Sequence, residues 1–161
     1  MYKRVLVALG ANTYRESMTQ ALTIAENQDV QLRLVHVIEV MVNGAEGFNL
    51  EGVYAARERE GKAIIERAVA QAREANAIPE YGLIDGTGRR VSSVLREEVT
   101  RWRADLIVVG GRVRRNILLR LLSDDVCDAI ISRALIPVLI AAPSGRTEVS
   151  ATRATAHDHA V

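Results

Sequence analysis

The sequence predicts a single-domain α/β fold, a doubly wound parallel sheet of five strands with helices on both faces. Short apolar runs of β-type residues alternate along the chain with stretches in which apolar residues recur at helical spacing. Such alternation implies parallel strands joined by right-handed crossovers. The runs are almost wholly apolar, which is typical of strands covered on both faces. At 161 residues and 48% hydrophobic, the chain is long enough to bury a full core.

Five strands are predicted, at residues 5–9, 31–40, 81–84, 106–109 and 138–141. The first helix is expected to follow Asn12 or Thr13, because either side chain can cap a helix N-terminus. The second helix is predicted over about 51–77, where alanines and isoleucines give one apolar face, with Pro79 ending it. The third is predicted from Val91 to Trp102, and Trp102 is expected to be a packing residue.

A fourth helix is indicated by Leu118, Leu122, Val126 and Ile130, which share one face. The single cysteine, Cys127, lies in this stretch and is interpreted as a buried small hydrophobe rather than a nucleophile. We expect the domain to cover 1–143. Residues 144–161 show no periodicity and are expected to form a mobile tail.

Charge and targeting signals narrow the classes of function. The 21 basic and 20 acidic residues nearly balance, which argues against nucleic acid or a membrane surface as a partner. No apolar run approaches the roughly 20 residues that span a bilayer, and the N-terminus enters a strand directly, so a cytoplasmic location is expected. His36, inside the second strand, is interpreted as a core histidine with one nitrogen paired.

Gly110 and Gly111 mark the candidate site. They follow the fourth strand, and ligands of open α/β sheets bind at the carboxyl ends of the strands. Glycine there lets a backbone come close to a bound group. The loop that follows carries four arginines suited to phosphate or carboxylate, namely Arg112, Arg114, Arg115 and Arg120, and Arg89 and Arg90 follow the neighbouring glycine turn. Alternatively, these charges are simply solvated, or Arg114 and Arg115 pair with Asp124 and Asp125.

Four fragments of the sequence, together with their order and spacing along the chain, resemble the universal stress protein family. They are YKRVLVAL, LRLVHVIEV, DLIVVGG and IPVLIA, which together extend over roughly Tyr2 to Ala142. The resemblance implies a flavodoxin-like sheet of order 3-2-1-4-5. It also implies that Gly10 and Gly110 face each other across the crevice between strands 1 and 4.

The family contains members that bind ATP and members that do not. The resemblance allows this chain to be compared with the motifs of the ATP-binding members. ATP-binding members carry an aspartate after the first strand, where this chain has Gly10. They also carry a G-x-x-G loop, followed after nine residues by Gly and Ser or Thr. Aligned from Gly111, the second glycine becomes Arg114 and the closing pair Asp124 and Asp125; aligned from Gly110, the matches are Val113, Ser123 and Asp124.

Carboxylates at the phosphate position would repel phosphate by about 1–4 kcal/mol in a partly solvated site. They equally suit the first turn of a helix, and that interpretation is the default. The candidate nucleotide- or anion-binding residues are Gly10, Ala11, Asn12, Val37, Gly110, Gly111, Arg112, Arg114, Arg115, Asp124 and Asp125.

Three functions remain open. The favoured one is a universal-stress-type regulatory protein that does not bind ATP in the usual way and acts as a homodimer or through protein partners. Its edge strand would supply the dimer contacts, through Val138, Leu139, Ile140 and Ala141. The second is a nucleotide-binding signal protein, with magnesium bridging Asp124 or Asp125 to phosphates. The third is a weak nucleotide hydrolase, although no catalytic motif is present. No cofactor and no resident metal are predicted.

Overall fold

A computed structural model describes residues 1–26, 29–41, 49–111 and 136–142. Within these ranges it contains five strands and three helices. Their bounds, in chain order, are β1 Arg4–Ala8, α1 Tyr14–Ala25, β2 Gln31–Ile38, α2 Leu50–Glu74, β3 Glu80–Asp85, α3 Val91–Trp102, β4 Leu106–Gly110 and β5 Val138–Ala141. The predicted fourth helix, Cys127 and the predicted tail lie outside the described residues.

The five strands form one parallel sheet in the order β3-β2-β1-β4-β5. The predicted fold class is therefore confirmed. β1 lies in the centre, with Val5 paired to Leu32 of β2 on one side and to Leu106 of β4 on the other. β3 and β5 are the two edges. The switch in strand order falls between β1 and β4, so the crevice there is the expected position for a ligand.

Two apolar cores cover the two faces of the sheet, which explains why the strand sequences are nearly continuous in apolar residues. Successive strand residues point to opposite faces, so Val5 and Leu6 belong to different cores. The first core contains Val5 and the buried faces of α1 and α2, including Met18 and Ile64. The second contains Leu6 and the buried face of α3, including Leu95.

Several element ends differ from those predicted. α2 ends at Glu74, before the predicted end and well before Pro79. The chain turns at Asn76, whose φ of 58° is left-handed and which donates its backbone N–H to Arg73. Asparagine tolerates this conformation well and can stop a helix without proline. β2 likewise stops at Ile38, two residues earlier than predicted.

A charged network holds α3 against the amino ends of β2 and β3. Glu98 of α3 is only 4% exposed and accepts hydrogen bonds from Arg33 at 2.5 Å and Arg101 at 2.6 Å. Trp102, a packing residue as predicted, donates its indole N–H to Glu80 at 3.1 Å. The guanidinium of Arg4 stacks on the Trp102 ring, 4.5 Å from its centroid. This end of the sheet is thus fixed by structural contacts.

Among the described helices, none combines the length and the apolar character needed to cross a bilayer.

Candidate functional site

The candidate site lies where β1 and β4 end side by side. Gly10, Ala11 and Asn12 follow β1 and are exposed, while Gly110 and Gly111 form the end of β4 and the residue after it. The structure thus brings these five predicted residues together at the carboxyl ends of the two central strands, at the switch point. The neighbours of Gly10, Gly110 and Gly111 show whether these glycines serve ligand approach or packing within the protein.

Thr13 occupies the space between the two strand ends. A Cβ added to Gly10 would lie 2.5 Å from the Thr13 hydroxyl oxygen, and one added to Gly110 would lie 2.5 Å from the same atom and 2.6 Å from the Thr13 carbonyl oxygen. Real Cβ atoms do not come this close to another heavy atom. Glycine at position 110 is therefore required by the Thr13 backbone, whereas at position 10 the close neighbour is the Thr13 side chain in its present rotamer.

Thr13 also begins α1, although not in the way predicted. It occupies the N-cap position, but its side chain makes no capping hydrogen bond. The first backbone amides are satisfied instead by the Gly10 carbonyl oxygen, which accepts from Tyr14 at 2.9 Å and from Thr13 at 3.2 Å. The Thr13 carbonyl oxygen in turn accepts from the buried Ser17 hydroxyl at 3.2 Å. The start of α1 is thereby tied to the end of β1.

Gly111 is explained by β5. A Cβ at this position would lie 2.6 Å from Cγ2 of Ile140, and its backbone N–H donates to the Ala141 carbonyl oxygen at 2.9 Å. Gly111 thus continues the β4–β5 pairing beyond the last strand residue. Its small size serves the packing of the edge strand.

Val37 is the predicted site residue on β2. Its side chain is buried in the second core, and its Cγ1 atom would be 2.5 Å from a Cβ on Gly86. The Gly86 N–H donates to the Ile38 carbonyl oxygen at 2.9 Å, and the Gly88 N–H donates to that of Val40 at 3.0 Å. The turn after β3 therefore packs closely over the end of β2.

His36 has one paired nitrogen, as expected for a core histidine. Its Nδ1 atom lies 2.6 Å from the carbonyl oxygen of Leu9, the residue that precedes Gly10 in the chain. On its other side, a Cβ on Gly61 of α2 would lie 2.6 Å from His36 Cδ2 and 2.7 Å from Leu83 Cδ1. The ring is thus held between α2 and the sheet, which fits a packing role.

The charges near β3 are engaged locally. Asp85 accepts a hydrogen bond from the Thr87 backbone N–H at 2.9 Å, and this bond lowers the pKa of the Asp85 carboxyl. Arg89, expected to help attract an anion, forms an ion pair with Glu97 of α3. Its charge is therefore partly neutralised before any ligand arrives. Arg112, Arg114, Arg115, Asp124 and Asp125 lie outside the described residues.

The described residues offer no cluster of three or more histidine, cysteine, aspartate or glutamate side chains that could hold a metal ion.

The predicted dimer residues form β5 at one edge of the sheet. Ile140 is 46% exposed, whereas Ala141 is buried and Leu139 packs against the first core. Ile140 is therefore the most accessible apolar side chain of this strand.

The contact of Thr13 with Gly110 is the feature of the site that the sequence does not predict. The sequence predicts Thr13 only as a possible N-cap, a position that it does occupy. The available signal was a small β-branched residue three positions after Gly10, which does not by itself reveal contact with residue 110.

Together these features define a doubly wound α/β protein whose candidate ligand crevice lies at the β1/β4 switch point. Residues 1–142 match the model of the universal stress protein family, and the chain belongs to this family. A search of curated protein sequences finds no significant match.

Solved structures of the family share the fold. A universal stress protein family member from Burkholderia pseudomallei is 24% identical, with a TM-score of 0.70 over 86% of this chain and 95% of its own. A universal stress protein in complex with cAMP is 25% identical, with a TM-score of 0.60 over 86% and 95%. A family protein from Arabidopsis thaliana with AMP bound is 20% identical, with a TM-score of 0.63 over 87% and 91%.

Proposed function

We propose that this protein is a regulatory member of the universal stress protein family that does not bind ATP in the family's usual way. It acts instead as a homodimer or through protein partners. The observation that carries the proposal is the contact of Thr13 with Gly10 and Gly110.

The Thr13 contact bears directly on the missing aspartate. ATP-binding members, by the resemblance described above, carry an acid where this chain has Gly10. Any side chain at position 10 would begin with a Cβ only 2.5 Å from the Thr13 hydroxyl oxygen. With the Thr13 side chain in this rotamer, an aspartate does not fit at position 10. The loss of the acid and the position of Thr13 therefore support each other.

The homodimer is supported by the β5 edge. An edge strand presents unpaired backbone groups that a second copy can use, and a twofold axis lets the same strand serve both subunits. Exposed Ile140 would then be covered by the partner.

A second candidate function is adenine-nucleotide binding in an altered mode. It is favoured by two structural relatives, one in complex with cAMP and one with AMP bound. Such a ligand would enter the same crevice and contact the exposed residues Ala11 and Asn12. Hydrolysis is a weaker variant of this function, since no catalytic group is assigned.

Thermal unfolding in the presence of ATP, AMP and cAMP separates the two functions. A ligand present at about 100 times its Kd stabilises the folded state by about 2.7 kcal/mol. For a chain of this length, that raises Tm by about 5 to 10 °C. We expect no shift beyond that caused by GTP, which serves as the control. A shift of this size with an adenine nucleotide alone would favour the second function.

The dimer is tested by Ile140→Lys, measured by light scattering after size exclusion. A lysine at this exposed edge position opposes strand pairing while leaving the core intact. We expect a smaller assembly than that of the wild type. Met41→Lys, at another exposed apolar residue away from β5, is the matched control and should leave the mass unchanged. An unchanged mass for Ile140→Lys would contradict the β5 dimer.

A further inference from the structure

The hydroxyl of Tyr14 lies beside arginine side chains on the face of the sheet that α1 and α2 cover. The Tyr14 ring belongs to the first core and is only 9% exposed, whereas Arg15 is exposed. Arg15 donates its Nε–H to the Tyr14 hydroxyl oxygen at 3.3 Å, and its guanidinium carbon lies 5.9 Å from the centre of the ring. Since an exposed side chain reaches the hydroxyl, the tip of the buried ring opens to the surface.

A second arginine, Arg67, lies on the flank of α2 that faces α1. Ala68 and Ala72 are fully buried and mark the centre of the apolar face of α2. At 3.6 residues per turn, Arg67 lies about 120° to one side of this centre and Arg73 lies about 120° to the other. Arg73 lines a groove beside β3. Arg67 is therefore on the opposite flank, where α1 packs beside α2 and Tyr14 enters the shared core.

The three side chains supply many hydrogen-bond donors around one phenol oxygen. A hydrogen bond from Arg15 is the main cause that lowers the pKa of Tyr14; burial opposes it, and Arg67 acts in the same direction as Arg15. The oxygen accepts from Arg15, so its own proton is left to donate, and a guanidinium has five N–H donors and no acceptor. Among the residues described, neither arginine forms an ion pair, and Glu16 acts on Arg15 only through its charge.

We propose that Tyr14, Arg15 and Arg67 bind a tetrahedral oxyanion, either inorganic phosphate or the phosphate group of a monoester. Such an anion has at least three acceptor oxygens, which match one hydroxyl proton and two guanidinium groups arranged around one point. The bound anion also offsets the mutual repulsion of the two positive charges. The site thus receives the acceptors that its own residues do not provide.

This phosphate site recognises a different part of a ligand from the crevice. It uses side chains of α1 and α2, whereas the crevice is formed by the carboxyl ends of β1 and β4. It contacts a phosphate group alone, so phosphate compounds with and without a base should bind alike. The proposal therefore holds whether or not the crevice accepts ATP.

NMR titration of the wild-type protein with sodium phosphate, at an ionic strength held constant with sodium chloride, tests the site. We expect saturable shifts at the Nε–H signals of Arg15 and Arg67. Saturation should require roughly ten millimolar phosphate, because exposed arginines are solvated and hold an anion weakly. Glycerol phosphate should act in the same way, and acetate, with only two oxygens, more weakly. Shifts that rise linearly with phosphate, or that are spread over all exposed arginines, would overturn the site.

Three variants separate a defined site from a general attraction of anions. Tyr14→Phe keeps the ring in the core and removes the hydroxyl, so it should weaken phosphate binding about 2- to 10-fold. Arg67→Gln removes a charge-assisted hydrogen-bond donor and should weaken binding at least about 10-fold. Arg73→Gln is the matched control, because it removes the same charge from an exposed position on the other flank of α2. It should leave the affinity for phosphate unchanged.

The spectrum of each variant also shows whether the fold is retained, so that lost binding is not confused with lost folding. Arg67 is exposed, and its replacement leaves the core intact. An unchanged affinity of Arg67→Gln for phosphate, or an equal loss of affinity in Arg73→Gln, would overturn the proposal.

Discussion

At the scale of single residues, Thr13 explains why positions 10 and 110 are occupied by glycine. Gly10 and Gly110 are far apart in sequence, yet both are in contact with this one side chain. Their lack of a Cβ is thus explained by packing at the start of α1. A glycine at the carboxyl end of a strand does not by itself indicate a ligand, because the same conformational freedom also serves close helix–strand contact.

Gly110→Ala should lower the free energy of unfolding by about 1 to 3 kcal/mol, the usual cost of overpacking. The new methyl group would press on the Thr13 carbonyl oxygen, which cannot rotate away as a flexible side chain would. Urea unfolding measures the effect. Gly82→Ala is the matched control, since the nearest atom to a Cβ there is a guanidinium nitrogen of Arg33 at 3.3 Å, a far milder contact than those at Gly110. Equal stability of Gly110→Ala and the wild type would contradict the assigned contact.

Sequence could identify these residues but not their partners. The positions of Gly10, Gly110 and Gly111 at the ends of strands follow from pattern alone, and the structure places them there. The contact of Gly10 with Thr13 is local, but those of Gly110 with Thr13 and of Gly111 with Ile140 depend on tertiary approach over about a hundred and about thirty residues of chain, respectively. No local pattern encodes such an approach.

At the scale of elements, α3 is held to the sheet by Glu98. Burial tends to raise the pKa of this carboxyl, but hydrogen bonds and charges from Arg101 and Arg33 outweigh burial, and the pKa lies below its ordinary value. A pKa that is lower in the folded than in the unfolded chain stabilises the fold above the unfolded pKa. That stability is lost as pH falls through the folded pKa.

Glu98→Gln should therefore destabilise the protein by about 1 to 3 kcal/mol at pH 7, and by progressively less as pH is lowered below about 4. Unfolding in urea at several pH values gives the comparison. Glu97→Gln is the control. It removes an exposed carboxylate that pairs with Arg89, and should lower the free energy of unfolding by less than about 1 kcal/mol. A Glu98→Gln penalty that stays constant down to pH 3 would contradict the assigned ionisation.

Element ends were less predictable than element types. Apolar runs located each strand, because covered strands leave a clear signal. The end of α2 was misplaced because Asn76 in a left-handed conformation, and not Pro79, turns the chain. Asparagine is common in many settings, so its capping role is visible only from its φ angle.

For the whole molecule, strand order is the main result that positions the site. The order β3-β2-β1-β4-β5 creates one switch point and two edges. Alternating strands and helices predicted parallel pairing from physical rules, whereas the strand order came from the resemblance to the universal stress protein family. The sequence predicts β5 as the edge that would pair two copies, whereas the exposure of Ile140 on that strand is visible only in the structure.

The central claim is that the crevice does not bind ATP in the family's usual way. Its most direct test is calorimetric titration of the purified, nucleotide-stripped protein with ATP, with and without magnesium, and with AMP for comparison. The account predicts no saturable heat up to about millimolar ligand, which corresponds to a binding free energy weaker than about −4 kcal/mol. Saturable binding of ATP with a micromolar Kd would contradict it.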